Sequence, residues 1–342
     1  MSLVTRSEEL QQASSETAEA RIDLPYARRI RFEVDLDLVH AGRMRLGLSA
    51  EILGAPDAPA VVVLGGISAG QHLCANTLDA SPGWWETQVG TGRTLDPARH
   101  QLIGIEWLGA RGDLDVPLDT ADQAQVVAKV LDFLGLPRAE ALIGASYGAM
   151  VALKFAALFP TRIGHLLVIS GAHRSHPFAS AWRGLQRRIV RSGIAEPDRA
   201  LALARQLAML SYRTPEEFAE RFAEAPTFVD DTLVTPADAY LEACGQRYVR
   251  QWTQTAFLRL NESIDAHRVD PAQIRVPTSI LAIAEDRLVP IGDLYALAEG
   301  LGVTSKLHHL RSRFGHDAFL TEHVQVARVL REFLNDCQGS CP

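Results

Sequence analysis

The chain has 342 residues, 47% of them hydrophobic and 22% charged, with a net charge of −7. That balance suits a globular chain long enough for one large core plus an inserted subdomain. The acidic sum, with no basic patch interleaved with aromatics, excludes nucleic acid as the main partner. Cys74, Cys244, Cys337 and Cys341 show neither CxxC pairing nor metal-like spacing with histidine, so neither a disulfide scaffold nor a metal site is expected.

Residues 1–25 are polar and acidic without an apolar signal core, and read as a flexible leader. No apolar run approaches the roughly 18 residues that a membrane span needs, so a cytoplasmic protein with no membrane partner is expected. "RIRFEVDLDLVHAGRMRLGLSAEIL" alternates as an antiparallel hairpin does. Short apolar runs then stop at Gly or Ser: "AVVVLGG" (60–66), "HQLIGIEWLG" (100–109), "EALIGAS" (140–146) and "HLLVISG" (165–171). "TADQAQVVAKVLDFLGL" lies among them with apolar residues at helical spacing. This alternation predicts an α/β fold, a mostly parallel sheet with helices on both faces.

From about 173 to 270 no strand is evident, and four stretches, the longest "ADAYLEACGQRYVRQWTQTAFLRLNESI", read as helices. "PTSILAIAEDRLVP" resumes the sheet, "SKLHHLRS" is its last strand and "EHVQVARVLREFL" the last helix. The expected organisation is therefore a core of 26–172 and 271–342 with a helical lid at 173–270.

"GASYG" (144–148) places a serine between glycines where a buried strand turns into a helix. G-x-S-x-G in that context is a nucleophile elbow, whose strained turn lifts Ser146 above the sheet edge. The alternative is a tight turn whose glycines serve only packing. A serine hydroxyl needs a base to take its proton, and in such sheets the partners follow in the order Ser, Asp or Glu, His. Asp286 in "AEDRLVP" and His316 in "RFGHDAFL" both fall at the carboxyl edge of the sheet. His308 and His309 lie within the last strand, where one would face the core, and His323 lies in the last helix. Asp265 and Asp270 would lie at the wrong end of the sheet, and Glu285 would face away. The expected oxyanion donors are the amide of Tyr147 and that of Ile67 in "GGISAG", with Gly66 the second choice.

At these residues the sequence resembles the homoserine O-acyltransferase branch of the α/β-hydrolase superfamily, over roughly residues 30–335. "FGHDAFL" is the most specific match, and "AWRGLQRRI", "SYRTPEEFAERF" and the segment "PGWWETQVGTGRTLDPARHQLIGIEWLG" are similar in order and spacing. It departs at the elbow, where Ala149 and Val151 replace a glycine and a glutamine, and in the loop "GGISA". The resemblance implies the α/β-hydrolase fold and transfer of an acyl group from acyl-CoA to L-homoserine through an acyl-serine, a step of methionine biosynthesis. It implies no cofactor beyond the acyl-CoA co-substrate, and a homodimer through the lid. It also implies that Arg187 faces the acceptor carboxylate and Asp317 its ammonium. The bland readings are a solvated basic face for Arg187 and a helix N-cap for Asp317. The lid arginines favour succinyl over acetyl. A serine O-acyltransferase, an esterase or thioesterase with the same triad, and a non-catalytic binding member remain open alternatives.

Overall fold

A computed structural model describes residues 24–339. All but the last two residues of the expected leader, and Cys341, lie outside the described residues. β1 (Ala27–Leu38) and β2 (Gly42–Leu53) form an antiparallel hairpin. Along β1 more and less exposed positions alternate, as in a strand with one face on the core. β3 (Ala60–Leu64), β4 (Gln101–Ile105), β5 (Ala139–Ala145) and β6 (Ile163–Ile169) are buried almost throughout. Their continuous apolar runs reflect cover on both faces. Val62, Ile103, Leu142 and Val168 pack in one cluster, and Val61, Val63, Ile143 and Leu167 in the other. α1 (Thr120–Phe133) follows β4, started by an Asp119–Asp122 capping box. α2 (Tyr147–Leu158) follows β5.

Between β6 and the next sheet strand come α3 (Pro177–Ser192), α4 (Pro197–Tyr212), α5 (Pro215–Arg221), α6 (Pro236–Val249) and α7 (Gln254–Ala266). The first four begin on proline, which fits the first helical position because its missing N–H is not needed there. Two details correct the sequence reading. Residues 237–264 are not one helix: Thr253 accepts a hydrogen bond from the Ala256 amide and starts α7 afresh. The segment also contains a hairpin, β7 (Thr227–Val229) and β8 (Thr232–Val234), turning through Asp230 and Asp231, both at positive φ.

β9 (Thr278–Ile283), α8 (Ile291–Gly300), β10 (Ser305–Leu310), α9 (Ala318–Thr321) and α10 (His323–Gly339) complete the chain. The eight-stranded sheet has the order β1-β2-β4-β3-β5-β6-β9-β10, parallel from β4 onward. This is the mostly parallel, helix-covered sheet expected from the sequence. β10 is its edge; His309 is exposed, while His308 turns inward against α10, half-buried and 3.6 Å from Glu332. No helix among the described residues is long and apolar enough to cross a membrane.

Candidate active site

The parallel strands point their carboxyl ends at one rim, where open α/β sheets hold ligands. Ser146 stands there between β5 and α2 with φ 56° and ψ −118°, outside the regions an L-residue prefers. Such a backbone costs on the order of 1–3 kcal/mol and persists only when its surroundings over-determine it. Here the Ser146 amide donates to Ile169 O (2.8 Å) and the Gly148 amide to Gly65 O (2.8 Å). Both flanking glycines are required by space. A Cβ on Gly144 would lie 2.3 Å from Gly148 O, and one on Gly148 would lie 2.4 Å from Leu64 O.

Three side chains far apart in sequence meet at this rim. Ser146 Oγ is 2.7 Å from His316 Nε2, and His316 Nδ1 is 2.7 Å from Asp286 Oδ2. The other carboxylate oxygen, Oδ1, accepts from the Leu288 and Val289 amides at 2.8 and 3.0 Å, which fixes the acid's rotamer. Asp286 and His316 are buried. Burial works against a charged imidazole, but the Asp286 carboxylate, through charge and hydrogen bond, overrides it and holds the His316 pKa above its ordinary value. The rivals lie elsewhere. Glu285 accepts from Arg311 and the Ser312 amide. His323 is exposed. Asp265 is not at the far end of the sheet as expected but in α7, ion-paired with Arg183 and Arg187.

The Tyr147 and Ile67 amides make no hydrogen bond to other groups among the described residues. Gly66 lies close enough to Ser146 that a Cβ on it would be 3.8 Å from Ser146 Cβ. Gly66 O accepts from Trp107 Nε1 (3.1 Å) and from the Ala69 amide (2.9 Å). In a planar trans peptide the carbonyl and the following N–H point opposite ways, so holding Gly66 O turns the Ile67 N–H away from Trp107. Trp107 thus sets the direction of the Ile67 N–H, the amide expected from the sequence to serve as an oxyanion donor. Trp107→Phe is expected to lower kcat about tenfold, less than outright loss of such a donor, with little change in KM. Steady-state kinetics at a temperature where both proteins are folded checks the split; a fall in stability alone would make Trp107 a packing residue.

A cavity of about 250 Å³ opens over the serine. Met150, Trp84, Phe319 and Leu320 give it apolar walls, while Arg183, Gln186, Arg205 and Asp317 give it charge and polarity. Ser170, at φ 48°, also faces it with a buried hydroxyl lacking a protein partner among the described residues. Asp317 does not cap α9 through its side chain; it accepts from Arg213 Nε (2.8 Å). Burial raises the Asp317 pKa, and the charges of Arg213, His316 and Arg205 only partly offset this.

Arg187 differs from expectation. It does not line the cavity, because its Nη1 donates to Asp265 Oδ2 and Asn261 Oδ1, each at 2.6 Å. The arginine that faces the cavity beside Asp317 is Arg205, which the sequence reading missed. Its guanidinium stacks over Tyr248 (4.7 Å to the ring centre) and Tyr212 (5.4 Å), with no ion pair to a carboxylate among the described residues. Asp317 nonetheless lies near enough to raise its pKa, though less than the two tyrosines do and against the larger effect of burial.

A family model described as the alpha/beta hydrolase fold matches residues 59–323. The chain is 49% identical over 332 residues to a homoserine O-succinyltransferase of Xanthomonas campestris pv. campestris, covering 96% of this chain and 90% of that protein. It is 31% identical over 287 residues to a homoserine O-acetyltransferase of Thermus thermophilus, covering 74% and 72% of the two chains. Among solved structures, a homoserine O-acetyltransferase from Bacillus anthracis has a TM-score of 0.81 at 14% identity, over 91% of this chain and 98% of that one, a likeness of fold.

Proposed function

The chain belongs to the homoserine O-acyltransferase branch of the α/β-hydrolase superfamily, and from that premise we propose that it transfers a succinyl group from succinyl-CoA to the hydroxyl of L-homoserine through an acyl-Ser146 intermediate. The observation that carries the reading is the charge of the cavity wall. Water as acceptor needs no ion-pairing partner, whereas an amino acid needs a cation for its carboxylate and an anion for its ammonium. Arg205 and Asp317 supply that pair next to His316, and near-full-length similarity to a homoserine O-succinyltransferase supports the choice of acceptor and acyl group.

In the first half-reaction His316 Nε2 takes the Ser146 proton as Oγ attacks the thioester carbonyl. The amides of Ile67 and Tyr147 stabilise the oxyanion. Collapse breaks the C–S bond, and the imidazolium returns its proton to the departing thiolate. Asp286 keeps the imidazole oriented and stabilises its charge without itself taking the proton. In the second half, homoserine lies with its carboxylate on Arg205 and its ammonium on Asp317. His316 removes its hydroxyl proton, the alkoxide attacks the acyl-serine, and Ser146 Oγ leaves reprotonated. The cycle is ping-pong. The acyl donor as a CoA thioester, a cytoplasmic location, a place in methionine biosynthesis and a homodimer through the inserted helices belong to the same reading.

Incubating the purified protein with succinyl-CoA, with and without homoserine, tests it. Thiol release that depends on homoserine and yields its O-succinyl ester is expected. Release indifferent to any amino acid would make the protein a thioesterase, and a higher kcat/KM with serine would change the acceptor. Arg205→Leu is expected to raise KM for homoserine by about 10–100-fold, the scale of a lost charge-assisted bond, and to slow deacylation more than acylation. Single-turnover kinetics separates the two halves; a loss confined to acylation would move Arg205 to the donor.

A further inference from the structure

The inserted helices meet the residues of both expected oxyanion donors through hydroxyls. After β3 the chain turns tightly, the Ala69 amide donating to Gly66 O (2.9 Å), so that Ile67 and Ser68 are the central pair of a β-turn. Gly66 O anchors one side of that turn. On the other side Ser68 lines the cavity and hydrogen-bonds the phenol of Tyr248, near the end of α6. The Tyr147 phenol is likewise 2.7 Å from Ser263 Oγ of α7, and both residues are buried.

Tyr248 differs from Ser263 because its ring has a second task. It is 8% exposed, stacked on Trp252 with 5.5 Å between ring centres and met edge-on by Phe257 at 6.2 Å. Two aromatic neighbours therefore fix the ring plane. Arg205 lies over the same ring at 4.7 Å, a cation–π contact that strengthens where water is excluded. Burial raises the Tyr248 pKa, so the phenol keeps its proton and can share it with Ser68. Ser68 itself is exposed, and a turn residue in that position is held only by what it bonds to. An oxyanion donor acts through an aim set before the reaction, so a turn left free would have to be ordered in the transition state.

We propose that Tyr248 is a positioning residue that ties the oxyanion turn to the acceptor's cation, its phenol holding Ser68 and its ring holding Arg205. The role given to Arg205 rests on the acyl-transfer reading above; the tie to the turn does not. The inserted segment then builds part of the reacting centre as well as its cover.

The two tasks separate by substitution. Tyr248→Phe keeps the ring under Arg205 and removes the hydroxyl. Acylation of Ser146, read as the burst of p-nitrophenol from p-nitrophenyl acetate, is expected to slow by about three- to tenfold, the scale of one hydrogen bond. KM for homoserine should stay within about twofold of wild type. Tyr248→Leu removes the ring as well and should add a rise in KM for homoserine of about threefold or more, the scale of a lost cation–π contact. Ser68→Ala should reproduce Tyr248→Phe, and the double variant should be no slower than either, since both remove one bond. Ser68 is exposed, so its variant decides if the Tyr248 variants fail to fold. Acylation within about twofold of wild type in Ser68→Ala, or losses that multiply in the double variant, overturns the tie. A Tyr248→Phe protein changed only in KM for homoserine overturns it too. The ester needs neither CoA nor homoserine, so it decides the tie independently of acyl transfer, whose own failure shows as thiol release from succinyl-CoA that ignores homoserine.

Discussion

Replacing His316 by alanine is expected to lower the acylation rate of Ser146 by about 10⁵–10⁶-fold, the scale seen when a triad base or nucleophile is removed singly. The size follows from the geometry. Ser146 Oγ has one basic group within hydrogen-bond reach among the described residues, His316 Nε2 at 2.7 Å. Without it the hydroxyl must attack while keeping its proton or giving it to water, and the leaving thiolate receives none. Ser146→Ala should fall to the same floor, and the double variant should fall no further, because the two act as a unit. Rapid-quench mass spectrometry with succinyl-CoA measures the single variants. A His316→Ala protein that still acylates within about a hundredfold of wild type would remove His316 as the base and with it the account of how the serine is activated.

Much of the site was legible because its parts obey local rules. Gly144 and Gly148 flank Ser146 because any Cβ there strikes backbone, and a run of buried residues ending at that turn fixes which end of the sheet it occupies. Chain order then pointed to Asp286 and His316 as candidates, and the structure hydrogen-bonds His316 to Ser146 and Asp286 to His316. Periodicity located the central strands because both faces of the sheet are covered. It failed in the inserted segment, where strand β7 is fully exposed and so lacks the apolar alternation that marks a half-buried strand. The signal that could have found the hairpin is the Asp230–Asp231 pair between β-branched residues.

The choice among arginines was not legible from proximity to a motif. Arg183 and Arg187 sit one turn apart on α3, and their different surroundings follow from the register of the helix face. Arg183 shares the buried stripe at positions 179, 183, 186 and 190, which turns toward the cavity. Arg187 falls beside that stripe and is consumed by α7. Arg205 carries the same signal, as a charged residue in line with Leu201, Ala208 and Met209 on the buried face of α4. A charge on an apolar stripe must be paired or functional, and that criterion, applied to the sequence, would have singled out Arg183 and Arg205 ahead of Arg187. Acyl transfer in preference to hydrolysis makes the same demand. A bound acceptor competes with water only if its hydroxyl is held in attack geometry while the walls exclude solvent, and the inserted helices supply Arg205 and much of the cavity wall, while Asp317 comes from the turn before α9.

Asp286→Asn is expected to cost about 10⁴-fold in kcat while leaving the fold intact, the drop that follows when a triad histidine is held in the wrong tautomer. The Leu288 and Val289 amides both donate to Asp286 Oδ1. An asparagine in this place must turn its carbonyl oxygen to them, since its amide would oppose two N–H groups. Its NH₂ then faces His316 Nδ1, which has to become an acceptor, and the ring proton moves to Nε2. That nitrogen now donates toward Ser146 Oγ and has no lone pair to take the serine proton. The pH profile carries a second signature. Acylation requires neutral His316, so in the wild type kcat/KM rises as pH increases through a His316 pKa that Asp286 holds above the usual value near ~6.5. Removing the carboxylate's charge removes that support, so the acid limb of the residual activity should shift to lower pH. A pre-steady-state acylation series across pH reads both effects. An Asp286→Asn protein with the wild-type acid limb and a loss below about tenfold would mean that Asp286 holds the loop after β9 rather than the imidazole.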